Sequence, residues 1–151
     1  FLDVHDPLLP LGPYATSKAM LFYKLKDLPS KRISEISYLR LFSVYGEGQF
    51  EKNLWPTLKK AAECGLDVDL TSGNQIRDFI SVEDVCRLIM LEINNIPGIK
   101  FKIVNIGSGK GISIMDFSKF WWKKFNASGQ LNFGALDSRP NEIFRMVSRQ
   151  H

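Results

Sequence analysis

Histidine and cysteine are scarce in this chain, with two of each among 151 residues. His5 and His151 lie at opposite ends and no Cys-x-x-Cys occurs, so the sequence offers no ligand set for a metal. Cys64 and Cys86 fall on segments that read as helices, which argues against a disulfide framework and for a reducing compartment, the cytoplasm. No apolar run approaches the roughly 20 residues needed to cross a bilayer. No basic-then-apolar leader opens the chain, which starts at Phe1 rather than Met, as expected of a processed protein or a piece of a longer one. The net charge of +4 is spread over short pairs such as Lys59-Lys60 and Lys123-Lys124. Without a basic stripe and interleaved stacking aromatics, nucleic acid is not an expected partner. There is no internal repeat and no low-complexity segment. What remains is an ordinary soluble composition, 44% apolar and 24% charged, long enough for a real core.

The pattern along the chain alternates between strands and helices. Residues 1–12, with two prolines, read as a loop. Pro13 suits the first turn of a helix, where its missing N–H goes unused, and the helix runs to Pro29. "ISEISYLRLF" reads as a strand with its core at Ile36 to Phe42. "VYGEGQF" is a glycine-bearing loop, "NLWPTLKKAAECG" a helix closed by Gly65, and "LDVDLTSG" a short strand and turn. Ser81 and Asp84 have the spacing of a helix N-cap, as do Ser113 and Asp116. The first pair opens "SVEDVCRLIMLEINN" and the second a helix through about Phe125. Between them "FKIVNIG" reads as a strand and "SGKG" as a turn, and "GQLNFG" supplies a last strand. Strands joined to helices by short turns predict an α/β arrangement with parallel pairing.

Five stretches bear on chemistry. Tyr14 and Lys18 are i and i+4 on a helix, on one face. An ammonium beside a phenol stabilises the phenolate, giving a general acid/base for a hydroxyl next to a hydride-transfer carbon; the alternative is a plain surface pair. "GSGKG" at 107–111 lacks the order of a phosphate loop, and its even glycine spacing does not fit the dinucleotide fingerprint, so it reads as a turn. Arg77, read on a strand-to-helix loop, is either a phosphate ligand or a partner of Asp78 or Glu83. Arg139 and Arg145 carry the same pair of readings. Trp121 and Trp122 read as packing rather than a stacking platform for a sugar.

Taken in order, these segments resemble the extended short-chain dehydrogenase/reductase family of nucleotide-sugar epimerases, dehydratases and ketoreductases. "PYATSKA" looks like its Tyr-x-x-x-Lys helix. "LRLFSVYGEGQ" is similar to its L-R-x-x-N-V-Y-G-P-G-Q segment, with Ser43 where most members have Asn and Glu47 in place of the loop proline. "IRDFISVEDVC", "VNIGSGKGISIMDF" and "RPNEIFRM" resemble three further ordered blocks.

The resemblance implies a fold and a set of roles. The fold is the C-terminal part of a Rossmann-like doubly wound parallel sheet, interleaved with a small α/β substrate-binding domain. Residues 1–45 and about 77–108 would close the NAD(P)-binding part, and about 46–76 with 109–151 would form the substrate-binding part. Tyr14 would be the catalytic acid/base, with Lys18 tuning it and holding the nicotinamide ribose. Leu41, Phe42 and Val44 would lie beside the cofactor, NAD or NADP. Ser43, Arg77 and Arg139 would bind the diphosphate of a nucleoside-diphosphate sugar. The family's glycine-rich fingerprint and catalytic Ser/Thr are absent from these residues, so the resemblance is to a C-terminal half. It implies an oxidoreductase, isomerase or lyase of polysaccharide biosynthesis acting as a homodimer. A non-catalytic binding relative and a truncated structural remnant are the rival expectations.

Overall fold

The computed structural model describes residues 1–28, 36–95, 101–138, 140 and 142–149. In chain order its first elements are α1 (Gly12–Asp27), β1 (Ile36–Leu41), β2 (Ser43–Tyr45), α2 (Leu54–Cys64), β3 (Val68–Leu70) and β4 (Ile76–Ser81). The rest are α3 (Val82–Asn94), β5 (Phe101–Ile106), β6 (Gly111–Ser113), α4 (Ile114–Lys124), β7 (Leu131–Phe133) and β8 (Arg145–Met146). Among the described residues no helix is long and apolar enough to cross a membrane.

The strands make three small sheets. β1 pairs with β5 in parallel, from Ile36 opposite Phe101 to Leu41 opposite Ile106. β3 pairs with β7, also in parallel. β4 is the hub of the third sheet, parallel to β2 and β8 and antiparallel to β6. The expected α/β class with parallel pairing is therefore present, and the β4–β6 pair is the one antiparallel ladder among the described strands.

Two apolar clusters hold these layers. Ile80, Val85 and Ile106 are buried together, with Leu39, Val44, Leu88, Ile89 and Val104 packed on them. Leu58, Ala61 and Val68 form the other, under Leu54, Leu70, Trp121, Trp122, Phe125 and Leu131. Trp121 and Trp122 are thus packing residues, and the Trp122 indole N–H also donates to the Gly129 carbonyl at 3.0 Å. Phe22 of α1 anchors that helix edge-on against Tyr38 and Phe101, with ring centroids 5.0 and 5.9 Å away.

Local signals place the helix ends as expected. Pro13 lies in the first turn of α1. Gly65 closes α2 in the left-handed region, φ 65°, and its N–H returns to the carbonyls of Ala61 and Ala62. The Ser81 and Ser113 hydroxyls accept from the N–H groups of Asp84 and Asp116 at 3.1 and 2.9 Å. Each hydroxyl also donates to the carboxylate of that Asp.

Several local expectations are corrected. Arg77 sits within strand β4, not on a strand-to-helix loop. Val44 and Tyr45 belong to strand β2 rather than to a loop. The strands β6 and β8 were not expected. The cause in β4 is physical: Asp78 shares the buried side of the strand with Ile80, so the period-2 apolar pattern is broken at a core position.

Candidate functional site

The chain changes sheets at Phe42. Leu41 ends β1, which pairs with β5, and Ser43 begins β2, which pairs with β4. The Phe42 N–H still donates to the Ile106 carbonyl at 3.0 Å, while its own carbonyl accepts from Val44 at 2.9 Å. Open α/β sheets bind ligands in the crevice outside the carboxyl ends of their strands. A cavity of about 590 Å³ lies here, with Leu41 and Phe42 on one wall. Leu11, Asn105, Arg145 and Met146 line other sides.

Tyr14 and Lys18 meet as the helix spacing predicts. The Lys18 ammonium lies over the Tyr14 ring, 5.4 Å from its centroid. Tyr14 is 76% exposed, and neither residue lines the cavity, although Leu11, three residues ahead of Tyr14, does. Ser43 and Val44 pair with Phe79 and Ile80 across β2 and β4, and the Val44 side chain packs on the core. The structure thus gathers Leu41 and Phe42 at the cavity and keeps Tyr14 and Lys18 together on an adjoining helix.

Arg77 reaches neither Asp78 nor Glu83. Its Nη1 donates to the carbonyls of Ile76 and Phe144 at 3.0 and 3.4 Å, and its Nη2 lies 3.6 Å from a Glu142 oxygen. A guanidinium has five N–H donors. Those on Nε and Nη2 have no hydrogen bond to a described residue, because the Glu142 contact is an ion pair beyond hydrogen-bond distance. The other Glu142 oxygen accepts from the Gln75 amide at 2.7 Å. Arg139 lies outside the described residues.

The most highly bonded side chain near this site is Asp78, which is completely buried. One carboxylate oxygen accepts from the Ser108 N–H and hydroxyl at 2.7 and 2.6 Å. The other accepts from the Gly109 N–H at 3.1 Å and from the N–H and hydroxyl of Ser148 at 3.0 and 2.5 Å. Burial pushes the carboxyl pKa up, but these hydrogen bonds outweigh it and hold the group below the ordinary carboxylate range. The glycine-bearing turn that could have cradled a phosphate is therefore filled by an internal carboxylate, which explains physically why it is a turn. A Cβ on Gly107 would stand 2.5 Å from both Asp78 Oδ2 and Ser148 Oγ, so only glycine fits.

Asp78 also steadies the cavity wall. Ser148 pairs with Leu2 as an isolated parallel bridge. The Leu2 N–H donates to the Val147 carbonyl at 2.6 Å, and its carbonyl accepts from Arg149 and from the Asn105 amide, both at 2.9 Å. Leu2 lines the cavity beside Asp3. Sequence reasoning missed Asp78, Gln75 and Glu142. The available signal was a charged residue interrupting "IRDFI", where a strand should have continued.

Tyr45, beside the switch, is not poised to trade protons. Burial first, then the carboxylates of Asp84 and Glu83, push its phenol pKa up. It packs edge-on against Phe117 and Trp121, with centroids 5.1 and 5.5 Å away.

Parallel strand pairs joined to helices, with a ligand-sized cavity at the carboxyl end of β1, place the chain among α/β proteins of the Rossmann-like kind. Residues 3–107 match the NAD dependent epimerase/dehydratase family, and the chain belongs to that family. It is 33% identical over 117 residues to CDP-abequose synthase of Salmonella typhimurium, covering 73% of this chain and 38% of that protein. It is 32% identical over 149 residues to a putative UDP-glucose 4-epimerase of Methanocaldococcus jannaschii, covering 96% and 47%. Among solved structures, MoeE5 in complex with UDP-glucuronic acid and NAD superposes with a TM-score of 0.80 at 26% identity, covering 97% of this chain and 49% of that one. The UDP-N-acetylglucosamine 4-epimerase of Methanobrevibacter ruminantium M1 gives 0.85 at 24% identity, over 96% and 47%, a likeness of fold. The chain spans less than half the length of these relatives.

Proposed function

We propose that the whole protein uses NAD to epimerise, dehydrate or reduce a sugar carried on a nucleoside diphosphate. This chain would contribute the acid/base helix, the end of the cofactor site and most of the substrate site. The carrying observation is the switch at Phe42, where a cavity of about 590 Å³ opens at the carboxyl end of β1, next to the helix that bears Tyr14 and Lys18. The NAD named with MoeE5, and the UDP sugars named with several relatives, support the choice of cofactor and substrate class. The two exposed free thiols, Cys64 and Cys86, suit a reducing compartment such as the cytoplasm.

The residues present fit one end of such a cofactor. Leu41 and Phe42 give the cavity an apolar wall on which a flat ring can rest. When bound, NAD supplies a place for the hydride that leaves the sugar carbon. Tyr14 takes the proton from the hydroxyl on that carbon through its phenol oxygen. The Lys18 ammonium, 5.4 Å from the Tyr14 ring centroid, is the neighbouring charge on the same helix face. Ser43, at the head of β2 directly after Phe42, would offer its hydroxyl to the diphosphate. Arg77 offers its uncommitted N–H groups on Nε and Nη2 to the diphosphate, joined by Arg139.

The two apolar clusters support a division of labour. Residues 1–45 and about 77–108 would complete the cofactor part, and about 46–76 with 109–151 the substrate part. Helix α1 leaves Met20, Leu21 and Tyr23 exposed, which supports burial of this face in a homodimer.

Tyr14→Phe in the whole protein tests the catalytic assignment. It should lower turnover by about 10²- to 10⁴-fold and leave nucleoside-diphosphate binding within about twofold. Turnover at the wild-type rate would overturn the assignment. Calorimetric titration of the 151-residue chain with nucleoside diphosphates tests the substrate half separately. Absence of binding there would remove the support for Arg77.

A further inference from the structure

The β3–β7 sheet has two strands, so one side of β7 is an edge. In a parallel ladder the backbone N–H and C=O of a residue point to one side, and that side alternates along the strand. The Val68 N–H donates to the Gln130 carbonyl at 2.9 Å, and the Gly134 N–H to the Leu70 carbonyl at 3.0 Å. Gln130, Asn132 and Gly134 therefore turn their backbone groups to β3, and Leu131 and Phe133 turn theirs away. Among the described residues nothing pairs with those outward groups.

Helix α4 faces this edge. Lys119, Trp122, Lys123 and Asn126 follow the spacing i, i+3, i+4 and i+7, one face of the helix and its C-terminal turn. With Leu131 and Phe133 they line a groove of about 520 Å³. The Trp122 indole ties the two walls together through its 3.0 Å bond to the Gly129 carbonyl, two residues before Leu131. Trp122, Leu131 and Phe133 are half-buried and make the apolar part of the groove. Lys119 stands over the Phe133 ring, 5.6 Å from its centroid, and Lys123 is exposed beside it. Among the described residues no carboxylate lines the groove.

An open strand edge facing a helix across a groove is the setting in which an extended peptide adds a strand. Main-chain hydrogen bonds then give affinity, and alternate side chains give specificity. Lysines at an edge oppose pairing with a second copy, because two such edges would bring like charges together. An acidic strand meets the opposite situation.

We propose that the groove between α4 and the outer edge of β7 receives an extended acidic segment of a partner protein. The segment lies beside Leu131 and Phe133, pairs with their free N–H and C=O groups, and turns carboxylates toward Lys119 and Lys123. This groove shares no lining residue with the cavity at Phe42, so the inference does not depend on how that cavity is used.

The test titrates the whole protein with a blocked peptide, acetyl-Glu-Val-Glu-Val-Glu-amide, whose side chains alternate between an acidic and an apolar face. Read by two-dimensional NMR, saturation should slow hydrogen exchange of the Leu131 and Phe133 amides by at least about tenfold. The Asn132 amide, already turned to β3, should change little. Methylating every backbone nitrogen of the peptide keeps its side chains and should abolish binding. Lys119→Gln combined with Lys123→Gln should weaken binding by roughly fivefold, the scale of two exposed charge pairs, and leave turnover unchanged. The proposal is overturned if the peptide does not bind, or binds without protecting Leu131 and Phe133. Binding undiminished by N-methylation or by the two Gln substitutions overturns it as well. Protection that grows with protein concentration in the absence of peptide would assign the edge to a second copy. Protection already complete in the dilute whole protein would assign it to the protein's own chain. Either result would overturn the acidic partner.

Discussion

Replacing Asp78 by Asn removes a charge from a fully buried site whose neighbours are all donors. In the folded chain the two carboxylate oxygens accept five hydrogen bonds, from Ser108, Gly109 and Ser148. The amide has one oxygen, so whichever way it turns its NH2 confronts at least one backbone N–H: that of Ser108 on one side, those of Gly109 and Ser148 on the other. Serine hydroxyls can rotate to accept, but backbone N–H groups cannot. A hydrogen bond to a charged group contributes about 1.5–3 kcal/mol and an orphaned buried donor costs about 1–3 kcal/mol. One of each spans about 2.5–6 kcal/mol, and because the amide oxygen still accepts on one side the lower part, about 3–4 kcal/mol, is expected for Asp78→Asn at pH 7. In a chain of this size that lowers the melting temperature by roughly 6–16 °C. Urea unfolding followed by tryptophan fluorescence measures the difference. The sign of its pH dependence follows from the lowered pKa of Asp78. Stability from this group is present above the unfolded carboxylate value of about 3.9 and is lost as pH falls through the lower folded value. Wild type and Asp78→Asn should therefore converge in acid. A gap under about 0.5 kcal/mol at neutral pH, or one that persists undiminished in acid, would refute the reasoning.

Other substitutions probe the same architecture. Gly107→Ala drives a methyl group to 2.5 Å from Asp78 Oδ2 and Ser148 Oγ, and should destabilise by about 2–4 kcal/mol in urea unfolding. Gly134→Ala, with open space around its Cβ but φ at +85°, should cost only about 1–2 kcal/mol. Ser81→Ala removes the cap of α3 and should cost about 1 kcal/mol. The same change should raise the Asp84 pKa toward its ordinary value, because the Ser81 hydroxyl is the first cause holding it low, ahead of Arg87. Titration of the Asp84 carboxyl carbon by NMR reads that shift directly.

The sequence by itself determined what depends on neighbours along the chain. Helix α1 with Pro13 in its first turn, the Gly65 stop of α2, and the serine caps of α3 and α4 rest on one or two side chains meeting nearby backbone, so local spacing sufficed. The Tyr14/Lys18 pair was legible for the same reason, being one turn of helix. The strands β1 and β5 announced themselves as apolar runs. Tertiary structure decided the rest. β6 and β8 are three and two residues long and owe their existence to lying against β4, so no local pattern marks them. Arg77 looked like a partner for Asp78 because they are adjacent, yet in a strand adjacent side chains point to opposite faces. One turned to the half-buried face toward Glu142, and the other to the fully buried face toward Ser108 and Ser148, which lie 30 and 70 residues further along the chain. A buried carboxylate is tolerable only where donors converge on it from several segments. That convergence exists only once the chain has folded.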